Sequence, residues 1–382
     1  MKSVKILVPL LLTGHLVLAQ TTEMQPITTA VPFLTIAGDA RSAAMGDIGV
    51  ATSTDAFSQQ HNAAKYAFAQ KDQAFAMSYT PYMSKIASGM SLSQITYYNK
   101  FNERSAIAGG FRYFGMGEMT FRDNFDQVGI VRKPNEFAVD LTYALKLSDN
   151  FGMGVTGRFI NSSLKTPETT DEGDASSSNT FAVDISGFYE SDIKRFDSFD
   201  GRWRFGFNLQ NMGPKMNYND NSSLGSFLPA NLKLGGSFDF ILDSYNKVTV
   251  ATEFNKLMVP TPPYDRKDTD AWDKYNNTGW FSGIFKSFGD APGGFSEEMK
   301  EVTWALGAEY WYDNAFALRA GYFNENQMKG ARQYATLGAG FKYSMISVDL
   351  SYLFSTSKIS NPLENTLRFS LTFEFGKKSY KG

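Results

Sequence analysis

Alternation of apolar and polar residues recurs along the chain and carries most of its structural information. Leu367–Phe375 is apolar at every odd position and polar at every even one. A similar alternation runs through Phe137–Leu147, Trp203–Leu209 and Val248–Phe254. Successive side chains of a strand point to opposite faces, so each stretch presents one apolar and one polar face. The pattern predicts an all-β protein.

Fourteen strands can be assigned, and their connections differ in length at the two ends. Connections after even-numbered strands are mostly tight, with only 191–200 longer, whereas those after odd-numbered strands are long, as at 115–134, 163–178, 213–227 and 259–300. Soluble sandwiches have short turns at both ends, whereas outer-membrane barrels have short periplasmic turns and long outer loops. We therefore predict a 14-stranded antiparallel transmembrane β-barrel with both termini in the periplasm; twelve or sixteen strands are the alternatives. The predicted strands are 73–80, 89–99, 105–117, 135–148, 151–164, 179–190, 201–212, 228–242, 245–258, 301–311, 315–325, 331–343, 345–355 and 365–376.

The strand near 346–354 shows how the faces are assigned. Its apolar side chains are predicted to face lipid and its polar side chains to face the lumen. The lipid-facing set is Ile346, Val348, Leu350, Tyr352 and Phe354, and the inward set is Ser347, Asp349 and Ser351.

The first residues are organised like a secretory signal peptide. Lys2 and Lys5 flank the start of a mostly apolar core, Ile6–Leu18, and Val17-Leu18-Ala19 has small or medium residues at a cleavage position. The core is shorter than the roughly 20 residues that a transmembrane helix needs. The predicted organisation is a cleaved signal peptide at 1–19, an N-terminal hatch or plug at 20–70, the barrel at 71–376 and a periplasmic tail at 377–382.

Composition fits a membrane barrel and excludes several chemistries. Aromatic residues make up 15% of the 382 residues, yet the mean hydropathy is only −0.29, as alternating strands require. The formal net charge is −2, so the charge balance does not indicate nucleic-acid binding. The absence of Cys excludes disulfides, a lipoprotein anchor, thiolate metal sites and cysteine catalysis.

Residues 20–70 precede the first strand and are rich in small residues, most clearly in Gly38–Ala51. Small residues allow one backbone to pack closely against another. Two interpretations are open: a loose periplasmic tail, or a plug whose polar groups meet charged side chains of the lumen. The lumen residues considered are Asp140, Arg204, Lys233, Glu253 and Arg368.

The same segment resembles the N-terminal hatch of the FadL-type barrels, which are fourteen-stranded outer-membrane proteins for hydrophobic compounds. The resemblance is carried by Asp39-Ala40-Arg41, Met45-Gly46, Gly49-Val50-Ala51 and Asp55-Ala56. The chain departs from the family at Asn62-Ala63-Ala64-Lys65, where Asn-Pro-Ala-Gly is frequent. The hatch residues implied by the resemblance are Asp39, Arg41, Met45, Gly46, Gly49, Asp55 and Asn62.

Over its full mature length, and most specifically from Phe33 to Thr52, the chain resembles the PorV family, a Bacteroidetes branch of the FadL superfamily that serves type IX secretion. The resemblance implies a non-enzymatic outer-membrane component without a cofactor. Its implied partners are a very large translocon barrel of the SprA or Sov type and the C-terminal signal domains of secreted cargo. Cargo would pass to a surface attachment complex with a PorU-type sortase, and outer-membrane lipid would surround the barrel.

The longest predicted outer loop contains an aromatic stripe within Gly279–Asp290. Apolar residues fall at i, i+1, i+4, i+5 and i+8, which is typical of one face of a helix. The face either folds onto the barrel mouth as a lid or is offered to another protein or the outer leaflet. The stripe consists of Trp280, Phe281, Ile284, Phe285 and Phe288.

Two apparent ligand motifs have simpler explanations. Gly152–Gly157 matches G-x-G-x-x-G, but it follows a hairpin turn and continues as a strand, whereas a dinucleotide site needs a strand before it and a helix after it. A group of carboxylates in one loop lacks the spacing of a calcium-binding loop and is better explained as a solvated acidic loop. These carboxylates are Glu168, Asp171, Glu172 and Asp174.

The remaining alternatives concern catalysis and uptake. Outer-membrane acyl hydrolases use a Ser with a His on the barrel wall, but His61 is the one histidine left after signal removal and lies in the hatch. We therefore predict no enzymatic activity and no metal. The alternative function is FadL-like uptake of a hydrophobic small molecule such as a long-chain fatty acid, which predicts an apolar pocket beside the hatch and a kinked or bulged strand near it.

Overall fold

The structure is a computed structural model that describes residues 24–82, 89–121, 130–163, 177–218, 225–357 and 364–376. Three predictions lie outside these residues: the signal peptide at 1–19, the tail at 377–382, and the acidic loop with Glu168, Asp171, Glu172 and Asp174. Among the described residues, no helix has the length and apolar character needed to cross a membrane.

The described strands form a closed antiparallel barrel of fourteen strands, which confirms the predicted fold and strand number. Each strand pairs with the next along the chain, and the last closes on the first, with Phe369 opposite Tyr79. A closed barrel pairs the backbone without leaving a sheet edge, as a membrane span requires. The strands are β1 (Gln73–Pro81), β2 (Met90–Lys100), β3 (Ser105–Met116), β4 (Asn135–Lys146), β5 (Phe151–Ser162), β6 (Ser178–Glu190), β7 (Asp200–Met212), β8 (Asn231–Ile241), β9 (Asn246–Leu257), β10 (Val302–Tyr312), β11 (Phe316–Asn324), β12 (Gln333–Tyr343), β13 (Ile346–Ser355) and β14 (Leu367–Phe375).

The wall has an apolar outer face and a polar or small-residue inner face. In β13, Val348 and Leu350 are exposed on the outside, whereas Ser351 is only 4% exposed on the inside. Asp349 also points inwards, where it contacts Arg319 of β11 at 2.7 Å. The faces predicted for this strand are correct, and the outer apolar side chains are those that lipid hydrocarbon would contact.

The two ends of the barrel differ as predicted. Tight turns join most strand pairs at one end, called the short-turn end here, and longer loops lie at the other, the long-loop end. The loop between β9 and β10 contains α3 (Thr269–Asn276), α4 (Trp280–Lys286) and α5 (Phe295–Glu298). Two short strands, Met119–Phe121 and Ile130–Arg132, pair with each other beyond β3.

Residues 30–69, called the inner segment, lie inside the barrel. Most of them are buried, and their hydrogen bonds reach separate sectors of the wall, for example Thr96 of β2, Asn208 of β7 and Ser370 of β14. Two short helices of the inner segment precede the barrel in the chain. They are α1 (Ala40–Ala44) and α2 (Ser58–His61), flanked by the 3₁₀ turns Pro32–Thr35 and Ala63–Phe68.

Apolar side chains of the inner segment pack against the wall at both ends of the lumen. Towards the long-loop end, Phe33 stacks against Phe114 of β3 with ring centroids 6.1 Å apart. Towards the short-turn end, Tyr66 packs against Tyr98 of β2 with ring centroids 4.9 Å apart. The inner segment thus supplies a hydrophobic core to a barrel whose strands direct most apolar side chains outwards.

Candidate functional site

Asp39 joins the two helices of the inner segment. Its Oδ2 accepts a hydrogen bond from Ser42 N at 2.8 Å, which caps α1. Its Oδ1 accepts a hydrogen bond from the Ser42 hydroxyl at 2.6 Å and lies 2.9 Å from His61 Nε2 at the end of α2. A cap satisfies an N–H group that the helix N-terminus leaves free. Asp39 therefore fixes α1 relative to α2.

Arg41 connects α1 to the wall through buried charges. Its guanidinium makes two 2.9 Å hydrogen bonds to Glu309 of β10 and one of 2.8 Å to Asp55. Glu309 also binds Arg319 at 2.6 Å, and Arg319 binds Asp349 at 2.7 Å. Removing one partner of a buried ion pair leaves an uncompensated charge, which is strongly destabilising. The predicted residues Arg41 and Asp55 thus belong to one network with three strands of the wall.

Met45 and Gly46 touch the wall through backbone atoms. Gly46 has φ 76°, a left-handed conformation that favours glycine. A Cβ added to Gly321 of β11 would lie 2.1 Å from the Met45 carbonyl carbon, and one added to Gly307 of β10 would lie 2.6 Å from Met45 O. Glycines in these strands provide the space for a backbone-to-backbone contact.

Gly49 and Asn62 contact the wall through hydrogen bonds. The N–H groups of Gly49 and Val50 donate to Glu253 Oε2 of β9 at 2.8 and 2.9 Å. Asn62 Nδ2 donates to Val50 O at 2.8 Å and to Gly187 O of β6 at 2.9 Å. All the hatch residues predicted from sequence therefore lie in the inner segment and take part in its internal contacts or its contacts with the wall.

The five lumen residues considered from sequence divide into two groups. Glu253 binds the inner segment directly, and Arg368 binds Asp47 at 3.1 Å. The other three pair with strand residues: Asp140 with Arg158 at 2.7 Å, Arg204 with Asp239 at 2.7 Å, and Lys233 with Glu253 at 3.8 Å. The charges of this second group are therefore matched within the wall.

Sequence reasoning missed two cations that hold the inner segment. Arg112 of β3 donates to the carbonyls of Phe33, Leu34 and Ile36 at 2.9, 3.1 and 2.7 Å. Lys65, which is fully buried, donates to Gly49 O at 2.9 Å. Lys65 stands where the FadL-type motif often has Gly, and that departure is visible in the sequence. Arg112 lies in a stretch with apolar residues on both faces, so alternation alone does not mark it.

A bulged strand, one of the features expected for uptake, is present in the described wall of the barrel. A β-bulge interrupts the pairing of β7 with β6, and Asn211 within it has φ 57°. Asn211 binds Arg158 and Asp184, so polar side chains occupy the bulge. The described apolar interior is filled by the inner segment. A pocket at the long-loop rim is lined by residues such as Tyr113 and Lys133.

The predicted aromatic stripe forms a helix, α4, but only part of it is covered. Ile284 is 8% exposed and packs with Ala230 and Met258 at the barrel mouth, with Trp280 partly buried beside it. The next rows of the helix point away from the barrel: Phe281 is 61% exposed and Phe285 66%. Further exposed apolar residues of this loop are Phe288, Phe295 and Met299. These three residues, with Phe281 and Phe285, are called the outer aromatic surface below.

Buried salt bridges anchor the loop that carries this surface. Lys256 of β9 binds Glu298 at 3.0 Å and Glu301 at 2.7 Å, and Lys329 binds Glu297 at 2.6 Å and Glu301 at 3.0 Å. Burial alone would raise the pKa of Glu301, but hydrogen bonds and charges from the two lysines hold that pKa below its ordinary value. The loop is therefore fixed while its aromatic residues remain exposed.

His61 lacks the geometry of a catalytic base. It is 2% exposed, and the Ser42 hydroxyl binds Asp39 and not the imidazole. A serine nucleophile requires its hydroxyl within hydrogen-bond reach of the base. The contact of His61 with Asp39 serves the packing of α1 against α2.

Solved structures with a similar fold include proteins titled as hydrocarbon channels and as a toluene transporter. The "CymD monoaromatic hydrocarbon channel" is 13% identical, with 90% of this chain and 99% of that chain covered and a TM-score of 0.54. The "TodX monoaromatic hydrocarbon channel deltaS2 mutant" is 10% identical, with 88% and 98% covered and a TM-score of 0.51. The P. putida toluene transporter TodX is 10% identical, with 90% and 100% covered and a TM-score of 0.50. At these identities the likeness supports the barrel fold alone.

Sequence comparison assigns the family. Comparison with curated proteins gives no significant match. The profile of the family described as "Type IX secretion system protein PorV" matches residues 19–264, which is more than half of the chain. With its closed barrel of fourteen strands, the chain belongs to the PorV family of outer-membrane type IX secretion components.

Proposed function

We propose that the chain connects a type IX translocon barrel to its exported cargo. It binds a very large translocon barrel of the SprA or Sov type and receives cargo by the C-terminal signal domain. It then passes the cargo to a surface attachment complex with a PorU-type sortase. The observation that carries this proposal is the outer aromatic surface, held on an anchored loop above a filled lumen.

The lumen supports a role in which nothing passes through the barrel. In this proposal the inner segment is a permanent hatch, and both chain termini lie in the periplasm at the short-turn end. Arg41, Asn62 and Met45 hold the hatch through ion pairs, hydrogen bonds and backbone contacts with the wall. A filled barrel acts through its outer surfaces, so partner binding is its function and catalysis is not.

The outer aromatic surface has the chemistry of a protein interface. Exposed aromatic residues on a fixed element lose little conformational entropy on binding and bury large apolar areas. Phe281 and Phe285 are adjacent on α4, with ring centroids 5.3 Å apart. Partner side chains can therefore pack on a preformed apolar surface.

Introducing two negative charges into the outer aromatic surface tests the proposal. Phe281→Asp with Phe285→Asp places carboxylates where the interface must lose water, and burial of an unpaired charge is strongly unfavourable. We expect the translocon barrel and cargo to be lost from complexes isolated from gently solubilised outer membrane, and cargo secretion to fall. The barrel should remain folded, because both side chains lie outside the described core.

A control on the same helix separates the effect of the surface from that of charge. Ser282→Asp with Lys286→Asp changes two exposed residues of α4 outside the aromatic surface, and the complexes should persist. Unchanged secretion and intact complexes in the Phe281/Phe285 variant would contradict the proposal. Trp280 is unsuitable for this test because it also packs on the barrel mouth.

FadL-like uptake of a hydrophobic compound is the second candidate, favoured by the bulge at Asn211. Uptake requires the inner segment to move so that the compound can pass through the barrel. The isolated membrane complex distinguishes the two functions: fatty acid bound to an otherwise partner-free barrel would support uptake, and recovery of translocon and cargo would support the secretion role.

A further inference from the structure

Aromatic rings are in mutual contact on the outer surface of the barrel, at the short-turn end of β7 and β8. The ring centroids of Trp203 and Phe238 are 4.3 Å apart, and those of Phe238 and Phe240 are 4.6 Å apart. Phe196 and Phe199, in the connection before β7, stack at 4.9 Å. The turn-side aromatic cluster consists of Phe196, Phe199, Trp203, Phe205, Phe238 and Phe240.

The connection between β6 and β7 builds this cluster. It is the longer connection at an end where the others are tight, and its Lys194–Arg195 pairs with the first residues of β7, so that the chain folds back. Gly201 makes room for the contact, because a Cβ there would lie 2.4 Å from the Phe238 ring and 2.8 Å from the Phe196 ring. Residues 191–199 thus add aromatic rings to the outside of the wall.

The cluster continues the lipid-facing surface of the barrel. Trp203 is 45% exposed and Phe205 53%, and both belong to the outward-facing row of β7. Phe196 is 45% exposed beside them. Aromatic residues of membrane proteins concentrate at the level where hydrocarbon meets the lipid head groups. The cluster therefore lies at a head-group interface at the end of the strands.

Charged side chains of both signs border the cluster. Asp192, Lys194, Arg195 and Asp197 are all exposed, and none of the four has an ion-pair partner among the residues that the structure describes. By contrast, the neighbouring inward-facing Arg204 forms an ion pair with Asp239 at 2.7 Å. The four exposed charges sum to zero and remain available to a ligand that itself carries both signs.

We propose that the turn-side aromatic cluster binds a membrane phospholipid whose head group carries both a phosphate and a primary ammonium, as phosphatidylethanolamine does. Lys194, which pairs with Gly201 and so lies on the face of the wall that carries Phe196 and Phe238, donates to the phosphate, and the exposed Asp192 accepts from the ammonium. The acyl chains lie along the exposed rings, where apolar burial is favourable. A purely anionic lipid gains less, because its charge meets no net positive charge. This inference depends on the outer-membrane barrel and not on the proposed secretion role.

Native mass spectrometry of the full-length protein in mild detergent tests the inference. The protein is titrated separately with phosphatidylethanolamine, phosphatidylglycerol and phosphatidylcholine of identical acyl chains. We expect one phosphatidylethanolamine to be retained per barrel, with retention of the other two lipids several-fold weaker. Lys194→Ser, and separately Phe196→Ser, should each lower that retention several-fold.

Tyr343→Ser is the matched control, because Tyr343 is an exposed aromatic residue at another short turn and the nearby Lys342 is already paired with Glu374. Retention should be unchanged in this variant. All the substituted residues are exposed, and retained heat-resistant mobility on gels confirms that each variant is folded. Equal loss in the control, tighter binding of phosphatidylglycerol, or a Phe196-dependent periplasmic protein recovered without any lipid preference would each overturn the proposal.

Discussion

Glycine on the inner face of the wall sets how closely the inner segment approaches the strands. A Cβ on Gly321 would meet the Met45 carbonyl carbon, and one on Gly338 would meet Ala44 Cβ at 2.4 Å. Gly235 of β8 similarly accommodates Val50. Alternation of apolar and polar residues indicates the two faces of a strand, but glycine carries no hydrophobic signal. The sequence therefore indicates close packing through the small residues of the inner segment, and the matching glycines of the wall become apparent only in the structure.

Gly321→Ala should loosen the inner segment. The new Cβ would lie 2.1 Å from backbone, so either the strand or the Met45 turn must move, at a cost of about 1–3 kcal/mol. We expect earlier thermal unfolding and faster proteolysis of residues 24–72. Gly157→Ala is the control, because nothing lies within 4 Å of a Cβ at that outward-facing position. Equal stability of the two variants would show that the close contact does not exist.

Charge on either face of β13 should destabilise the barrel, for different reasons. Leu350→Arg exposes a cation to hydrocarbon at a cost of about 2–4 kcal/mol near the membrane midplane. Ser351→Arg would be milder if the plug left room in the lumen, but Ser351 is 4% exposed and lies opposite the buried Arg368. Urea unfolding in detergent should therefore show a loss of stability for Ser351→Arg as well, and a neutral result would indicate free space in the lumen.

At the scale of elements, periodicity predicted the strands well and the environment of the loop helix incompletely. β8 begins at Asn231, three residues later than the predicted 228, because Pro229 has no N–H to give to the ladder. The stripe at helical spacing became α4, yet its two sides have different environments, with Ile284 covered and Phe285 exposed. Spacing shows which residues share a face. It does not show how much of that face the rest of the chain covers.

The anchor of the outer loop should weaken in acid. Because the folded pKa of Glu301 is below its ordinary value, its contribution to stability is complete above the unfolded pKa of about 4.3. That contribution is lost as the pH falls through the lower folded pKa. Burial raises the pKa of Asp290. Ionisation of this carboxyl therefore lowers the stability of the loop as the pH rises. We expect proteolysis of residues 258–301 by an acid-active protease to accelerate below about pH 4.3.

Glu301→Gln is the matched variant for this pH dependence. It keeps the shape of the side chain but removes the charge that Lys256 and Lys329 bind. The loop should then be more accessible at neutral pH, with a smaller change on acidification. An acid response as steep as that of the unmodified protein would assign the effect to Glu297 or Glu298 instead.

For the whole molecule, the barrel and the inner segment form one structure. The wall alone would enclose charged and small side chains, and the segment supplies their partners, as Arg41 does for Glu309 and Gly49 for Glu253. Sequence predicted the closed barrel because alternation and loop lengths are local properties. It left open whether the segment was a plug or a tail, since that depends on contacts between residues far apart in the chain, such as Ala40 and Ser370.

A filled lumen predicts that the folded protein does not conduct ions. Inserted into planar bilayers, the full-length chain should show no open-pore current, because buried ion pairs and apolar clusters occupy the interior. A variant in which a short Gly-Ser linker replaces residues 30–69 should conduct, since a large barrel without its plug leaves an aqueous channel. The control replaces residues 262–296 of the outer loop, which leaves the inner segment in place and should not conduct. Steady current through the unmodified protein would show that the inner segment leaves a passage, and FadL-like uptake would then explain the barrel better than partner binding.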